Sequence, residues 1–179
     1  MGWIDKLTGK KPAVSASAQG AGKPSPKILK VSDYISTKNI AFFPAGPSKK
    51  QVLGNLIGSL DLPDPSAALT AILAREEAGS TVIGPGLALP HARLAGISRI
   101  AAAVGICPTG VVEPRLDGGP IKLFVLFLGP ADNMKEHLAF LASVSALFQV
   151  EGLVDALTQL NSPDAVLEKI RQTEKTLQG

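Results

Sequence analysis

The chain has 179 residues and a mass of 18.5 kDa, with 45% hydrophobic and 18% charged residues. This length suits one compact domain with at most a tail, and the composition is too apolar for a disordered chain. The longest unbroken apolar run, residues 123–128, has six residues, whereas a bilayer-spanning helix needs about 20. An integral membrane protein is therefore excluded.

The formal net charge of +3 is distributed unevenly along the chain. Residues 1–30 carry six Lys and one Asp, a net of +5, while residues 31–179 carry twelve Lys or Arg and fourteen Asp or Glu, a net of −2. The basic character therefore belongs to the N-terminal end. Because the remaining sequence has no basic stripe, we expect no nucleic-acid partner.

Residues 1–27 are predicted to form a flexible basic tail, followed by a single domain over residues 28–179. Residues 8–27 are mostly Ser, Ala, Gly, Pro and Lys, and they cannot bury enough surface to offset their ordering entropy. Ahead of them, Trp3, Ile4 and Leu7 would form one turn of an amphipathic helix. Peripheral membrane contact through the tail stays open, but a single turn is marginal alone, and a frayed end is the simpler interpretation.

Targeting and cysteine features indicate a cytoplasmic protein. No long apolar stretch follows the first lysines, so the pattern of a secretory signal peptide is missing. The single cysteine, Cys107, lies in an apolar run and is interpreted as a buried structural thiol. One Cys and two His are too few for a structural zinc site, and we expect no metal and no cofactor.

In chain order, the first predicted elements are two helices. Ser48 is placed to cap a helix whose apolar residues, from Val52 to Leu60, recur at three- and four-residue spacing. Asp64 and Pro65 form an N-cap and first-turn pair that opens a second helix, which we expect to end at Gly79.

The later elements alternate between buried strands and helices. Residues 100–107 and 121–128 are short apolar runs bounded by Gly and Pro, which predicts buried strands. Residues 132–148 show helical spacing, a further helix is predicted around residues 153–160, and Ser162 with Pro163 opens a last helix that extends to about Lys175. The helical residues predicted to share the inward face of residues 132–148 are Leu138, Leu141, Val144 and Phe148. Alternating helices and buried strands predict an α/β domain.

The segment whose residues are most informative about possible chemistry is residues 75–93, REEAGSTVIGPGLALPHAR. It leaves a helix at Gly79, turns at Gly84-Pro85-Gly86 and ends at Pro90-His91. Pro90 stiffens the backbone ahead of His91, whose neutral imidazole is suited to act as a nucleophile, general base or metal ligand. Taken alone, an isolated histidine is more often structural. The glycines do not form a phosphate-binding loop, since no GxxxxGK[ST] sequence is present.

This segment resembles the active-site stretch of the mannitol/fructose-type enzyme IIA domains of the bacterial phosphotransferase system, a family that includes nitrogen-regulatory members. In those domains a helix ends in Arg-Glu, a Gly-Ser-Thr-Gly-Ile-Gly step follows, and a Gly-x-Ala-Ile-Pro-His segment delivers the phosphorylated histidine. The residues that carry the resemblance are Arg75-Glu76, Gly79-Ser80-Thr81, Ile83-Gly84, Gly86 to His91, Leu116-Asp117-Gly118, Glu136-His137-Leu138 and Ser162-Pro163. Together they span about residues 28–173.

The chain departs from the family pattern at three positions. Val82 stands where the family usually has Gly, Pro85 where it often has Asn, and Ala92 where a Gly commonly follows the histidine. Because Val does not readily take a positive φ, a loop that needs one at this position would have to be reshaped.

The resemblance implies a mixed central β-sheet flanked by helices on both faces and a role for each matched side chain. His91 would accept a phosphoryl group, with His137 and Arg75 stabilising its charge and with Ser80 and Thr81 offering hydrogen bonds. Without the family pattern, His137 would be interpreted as a helix-surface residue and Arg75 as a helix C-terminal cation. Glu76 and Glu77 are interpreted as solvated helix-end charges.

The implied function is that of a phosphohistidine carrier. His91 would take the phosphoryl group from phospho-HPr or a nitrogen-branch HPr homologue and pass it to an enzyme IIB or hold it as a regulatory signal. We favour the nitrogen-regulatory role, because no membrane domain or enzyme IIB domain accompanies the sequence. The alternative is a regulatory adaptor that binds partner proteins without phosphoryl transfer.

Overall fold

The computed structural model describes residues 28–114 and 119–178. The predicted tail of residues 1–27 and the motif Leu116-Asp117-Gly118 lie outside these ranges. The described elements follow two short 3-10 turns, Val31–Asp33 and Thr37–Asn39. In chain order they are β1 (Ile40–Phe42), α1 (Lys49–Gly58), α2 (Pro65–Ala78), β2 (Val82–Gly84), β3 (Leu87–Ala88), β4 (His91–Leu94), β5 (Ala101–Val111), β6 (Ile121–Pro130), α3 (Met134–Phe148), α4 (Leu153–Thr158) and α5 (Pro163–Gln178).

The strands form one mixed sheet organised around β6. On one side, β6 pairs antiparallel with β5, and β5 pairs in parallel with β1. On its other side, β6 pairs in parallel first with β3 and then with β4, while β2 continues the sheet antiparallel to β3. Because one long strand supports two short ones in succession, the break between β3 and β4 falls against the middle of β6.

Two apolar cores lie on opposite faces of the sheet, because successive strand residues point to opposite sides. Val125 and Phe127 of β6 pack into the core that α3, α4 and α5 cover. Phe124 and Leu126 pack into the other core, which α1 and α2 cover. The expected α/β domain, with a mixed sheet between two layers of helices, is confirmed.

The predicted helix starts are confirmed by their capping contacts. Ser48 accepts a hydrogen bond from the Gln51 backbone amide at 3.3 Å, and Asp64 accepts one from Ala67 at 2.9 Å. Ser162 does the same for Ala165 at 3.2 Å. Each contact joins residues three apart, which is why local sequence predicts it.

The buried face of α3 agrees with the prediction at Val144 and Phe148 and differs from it at the other two positions. Leu138 is 53% exposed, and Leu141 is only partly buried. The buried positions include His137, Phe140 and Leu147. The buried face is the one that places Phe140 against Phe127, with ring centroids 4.9 Å apart.

Three further features of the described residues bear on the expectations. Cys107 is fully buried, and burial raises the pKa of its thiol to about 11, as a structural thiol requires. The short strands β1 to β4 were not predicted, since two to four residues carry no periodic signal. No helix within residues 28–114 and 119–178 has the length and apolar character needed to cross a membrane.

Candidate active site

His91 is the first residue of β4 and lies where the chain crosses from β3 to β4 along β6. Its register partner on β6 is Phe127, whose backbone amide donates to the Pro90 carbonyl at 3.0 Å. The imidazole stacks on the Phe127 ring with centroids 5.3 Å apart and planes 10° from parallel. Phe127 is fully buried, so it provides a rigid platform for the half-buried histidine.

The two ring nitrogens of His91 have different surroundings. Nδ1 lies 2.7 Å from the Leu89 carbonyl oxygen. A carbonyl oxygen only accepts hydrogen bonds, so Nδ1 carries the proton and donates the hydrogen bond. In the neutral ring Nε2 then holds the lone pair, so Nε2 is the nitrogen available to act as a nucleophile.

His137 lies beside His91, on the first turns of α3. The two imidazole centroids are 5.7 Å apart, and His137 is 5.2 Å from the Phe127 ring. His137 is 6% exposed. The interpretation of His137 as a helix-surface residue, which the sequence suggests without the family pattern, is therefore wrong. Two histidines separated by β5 and β6 in sequence thus share one aromatic neighbour.

Gly129 makes the close approach of His137 to the sheet possible. A Cβ at Gly129 would lie 3.0 Å from the Cβ of His137 and closer still to its Nδ1. Among the described residues, no group makes a hydrogen bond with this buried Nδ1. The Nδ1 side of the ring therefore faces backbone.

Burial keeps both histidines neutral near pH 7. Desolvation lowers the pKa of His91 below 6.5, the nearby charge of Arg75 lowers it further, and the Leu89 carbonyl and Glu76 partly offset both effects. The pKa of His137 is lowered by desolvation first, and then by the proximity of His91 and Arg93. A neutral imidazole is the form that can act as a nucleophile.

Arg75 lies in the last turn of α2, and its guanidinium Nη1 donates to the Gly79 carbonyl at 2.9 Å. This contact satisfies a carbonyl at the helix C-terminus. The same charge lowers the pKa of His91, so Arg75 acts on the histidine by its electric field while it caps the helix.

Ser80 and Thr81 are already engaged in local hydrogen bonds. The Ser80 hydroxyl accepts from the Val82 backbone amide at 3.2 Å. Thr81 is 3% exposed, and its hydroxyl donates to Oε1 of Glu76. The structure thus places both residues in the loop before β2, with the Thr81 proton directed at a carboxylate.

Glu76 is not the solvated helix-end charge that the sequence suggested. Its side chain is 9% exposed and forms an ion pair with Lys49 of α1. The Lys49 Nζ also contacts Glu113 at 2.8 Å. A carboxylate at the end of a helix is usually solvated, and only the packing of α1 against α2 shows that this one is largely shielded from solvent.

Three residues of the site were missed by sequence reasoning. Phe127 and Gly129 carry no local signal of function, because their roles depend on the strand pairing. Arg93 is detectable in principle, since it lies two residues after His91 on the same strand and therefore on the same side. Its guanidinium donates to the Ala131 carbonyl at 3.3 Å.

The departures at Val82 and Pro85 are accommodated without strain. No non-glycine residue within residues 28–114 and 119–178 has a positive φ, and Val82 begins β2 in extended conformation. The positive φ of the β2–β3 turn falls on Gly86, at +73°. Pro85 followed by such a glycine fits the two central positions of a type II turn.

Within the described ranges, no group of three or more His, Cys, Asp or Glu side chains is arranged to hold a metal ion.

The fold and sequence place this chain among the phosphotransfer components of the phosphoenolpyruvate-dependent phosphotransferase system. Residues 33–173 match the family model described as phosphoenolpyruvate-dependent sugar phosphotransferase system, EIIA 2. The chain belongs to this family, and its members act as phosphocarrier or regulatory proteins.

Two relatives represent the two branches of the family. A nitrogen regulatory protein from Pseudomonas aeruginosa is 34% identical over 128 residues, which are 69% of this chain and 82% of that protein. The fructose-specific EIIABC component from Bacillus subtilis is 31% identical over 151 residues, which are 82% of this chain. The chain spans only about a quarter, 24%, of the Bacillus protein.

Solved structures share the fold. The nitrogen regulatory protein IIA-Ntr from Neisseria meningitidis has a TM-score of 0.70 and 25% identity, covering 78% of this chain and 98% of its own. The mannitol enzyme IIA in a complex with phosphorylated enzyme IIB from Escherichia coli has a TM-score of 0.59 and 20% identity, covering 77% of this chain and 97% of its own.

Proposed function

We propose that the chain carries a phosphoryl group on Nε2 of His91, accepting it from phospho-HPr or a nitrogen-branch HPr homologue. The observation that carries this proposal is the hydrogen bond from Nδ1 to the Leu89 carbonyl. It fixes the tautomer whose Nε2 lone pair is free, and a fixed tautomer spares the reaction a reorganisation step.

The transfer is a displacement at phosphorus between two imidazoles. The Nε2 lone pair of His91 forms the new P–N bond while the P–N bond of the donor phosphohistidine breaks and its electron pair returns to the donor ring. Because the protein contributes no covalent step beyond this displacement, its main contributions to the rate are alignment of the two rings and stabilisation of the charge on the phosphoryl oxygens. The stack on Phe127 fixes the ring plane, and burial of the ring keeps it unprotonated.

His137 and Arg75 are the proposed stabilising groups for the phosphoryl oxygens. The Nδ1 of His137 is buried against Gly129. Its Nε2 is therefore the ring nitrogen that can donate a hydrogen bond to the oxygens of a bound phosphoryl group. Arg75 would add a charge-assisted hydrogen bond after turning from the Gly79 carbonyl. For Ser80 and Thr81, binding of the phosphoryl group stays a prediction that requires both hydroxyls to exchange their present partners.

The test is intact-protein mass after incubation with phosphoenolpyruvate, enzyme I and HPr. We expect one acid-labile phosphoryl group on the wild type and none on His91→Ala, because that variant lacks the nucleophile. His137→Gln is the matched control, since it keeps His91 and should still be phosphorylated at a lower rate. Phosphorylation of His91→Ala at the wild-type level would contradict the assignment.

A second question is whether the phosphoryl group moves on or acts as a signal. The nitrogen regulatory relative supports the signal, because phosphorylation adds nearly two negative charges to an interface. The fructose-specific relative and the mannitol complex support transfer to an enzyme IIB. If the phosphorylated protein loses its phosphoryl group when enzyme IIB is added, transfer is favoured. If it retains the phosphoryl group, the regulatory role is favoured.

A further inference from the structure

Three consecutive hydrogen bonds connect Glu76 with the ring of His91. Oε1 of Glu76 accepts from the Thr81 hydroxyl, and the Thr81 carbonyl accepts from the Leu89 amide at 2.9 Å. The Leu89 carbonyl then accepts from Nδ1 of His91 at 2.7 Å. The last of these bonds sets the tautomer of the nucleophile.

The first bond is well anchored because the Glu76 carboxylate is largely shielded from solvent and has an ion-pair partner. Its side chain is 9% exposed and is paired with Lys49, which is itself held by Glu113 at 2.8 Å. A carboxylate that is ionised and desolvated is a strong acceptor, and leaving it without its donors is costly. Thr81 is 3% exposed, so its hydroxyl is largely shielded from solvent.

These three hydrogen bonds also join the end of α2 to the β2–β3 hairpin, two parts of the fold that no single helix or strand connects. Glu76 belongs to the last turn of α2, whereas Thr81 and Leu89 flank the β2–β3 hairpin on its two sides. The short hairpin has few ladder bonds of its own. Fixing Thr81 therefore fixes the strand end from which the Leu89 carbonyl projects.

We propose that Glu76 and Thr81 are positioning residues for His91, which hold the Leu89 carbonyl in place and so fix the Nδ1–H tautomer of the nucleophile. For its effect on transfer this inference rests on the proposed function. Its effect on the ring exists without any transfer. It also gives Thr81 a task that does not require contact with the phosphoryl group.

The test compares Thr81→Val, which loses the hydroxyl, with Thr81→Ser, which retains it. The imidazole tautomer of His91 is read from two-bond proton–nitrogen correlation spectra of labelled protein. We expect the Nδ1–H form in the wild type and in Thr81→Ser, and a mixture of tautomers in Thr81→Val. Phosphorylation of Thr81→Val should slow by about tenfold, the factor that corresponds to one lost hydrogen bond. Thr81→Ser should restore the rate.

Thr158→Val is the matched control for the loss of a buried threonine hydroxyl. Thr158 is 7% exposed, and its hydroxyl donates to the Asp155 carbonyl within α4. This variant should keep the tautomer and the rate. An unchanged tautomer in folded Thr81→Val, or an equal loss of rate in Thr158→Val, would overturn the proposal.

Glu76→Ala removes the same hydrogen bond from the acceptor side and remains available if Thr81→Val does not fold. In a double-mutant cycle, Thr81→Val should add little to Glu76→Ala, because the hydrogen bond that Thr81→Val removes is already absent once the Glu76 carboxylate is gone. Additive effects on the tautomer would show that the two residues act separately and would overturn the connection. Failure of the wild type to take up phosphate would refute only the proposed function, because the tautomer comparison needs no donor.

Discussion

At the scale of the residue, the two ring nitrogens of His91 have different surroundings, and the proposed transfer uses this difference. Nδ1 is engaged by the Leu89 carbonyl, while Nε2 is left with its lone pair. The neighbouring His137 and the platform of Phe127 remove water from one side of the ring. Burial then favours the uncharged form of both imidazoles.

The lowered histidine pKa values predict how stability depends on pH. Well above pH 6.5, the ordinary pKa of a histidine, both side chains are almost entirely neutral in the folded and unfolded states and contribute little to the pH dependence. As the pH falls below 6.5, the unfolded chain takes up protons that the folded protein resists, so the free energy of unfolding decreases until the lowered pKa values are passed. Urea unfolding at about pH 7.5 and about pH 5.5 measures this difference.

The control for this prediction is the double variant His91→Gln and His137→Gln. It removes both titrating groups, so its free energy of unfolding should vary less between the two pH values than that of the wild type. An equal variation in both proteins would assign the acid sensitivity to other groups.

Gly129→Ala is predicted to displace His137 from the site. The added Cβ would meet the Cβ and ring of His137 at 3.0 Å or less, and such overpacking costs about 1–3 kcal/mol. We expect a lower free energy of unfolding in urea and slower phosphorylation of His91. Gly84→Ala is the control, because its Cβ would meet nothing within 4 Å. A wild-type rate in Gly129→Ala would show that the position of His137 is unimportant.

At the scale of the element, the placement of α1 on the sheet is set by one glycine of β5. A Cβ at Gly105 would lie 3.2 Å from Leu56 and 3.3 Å from Val52. Both are fully buried residues of α1. The helix therefore packs on bare backbone at this point, which also brings Lys49, at the start of the same helix, within reach of Glu76.

This close approach predicts opposite effects for two glycine-to-alanine substitutions. Gly105→Ala should lower the free energy of unfolding by about 1 kcal/mol or more, since α1 must move outward. Gly54→Ala, within α1 and with nothing near its Cβ, should raise it by about 0.5–1 kcal/mol through helix propensity. Urea unfolding of both variants checks this, and destabilisation by Gly54→Ala would contradict it.

At the scale of the whole molecule, three hydrogen bonds attach the segment before β1 to the helices of one face. The Leu29 amide donates to the Ser143 hydroxyl at 2.8 Å. Ser32 donates to the carboxylate of the buried Glu174 through its amide at 3.1 Å and its hydroxyl at 2.5 Å. Residues 29–32 are therefore part of the folded unit and hold α3 and α5 together.

The domain boundary proposed at residue 28 leads to a truncation prediction. A chain of residues 28–179 should keep the full stability and phosphorylation rate. A chain of residues 34–179 should lose about 1–3 kcal/mol of stability or more, because Glu174 is left buried without its donors. Thermal or urea unfolding of the two chains distinguishes these outcomes. Loss of phosphorylation on removal of residues 1–27 would show that the tail is more than a linker.

The sequence by itself determined the features that depend on neighbours along the chain. The caps at Ser48, Asp64 and Ser162 were predictable because each bonds a backbone amide three residues away. The long strands β5 and β6 were predictable from their continuous apolar runs. The histidine of the Pro90-His91 step was recognisable because its whole segment is local.

Only the tertiary structure decided what surrounds that histidine. The pairing of β4 with β6 sets Phe127 under the ring, and α3 returns over β6 to bring His137 to 5.7 Å. The ion pair of Glu76 depends likewise on Lys49, contributed by another helix. None of these contacts has a local signature, because strand register and helix packing are fixed by burial of the two cores and not by residues adjacent in sequence.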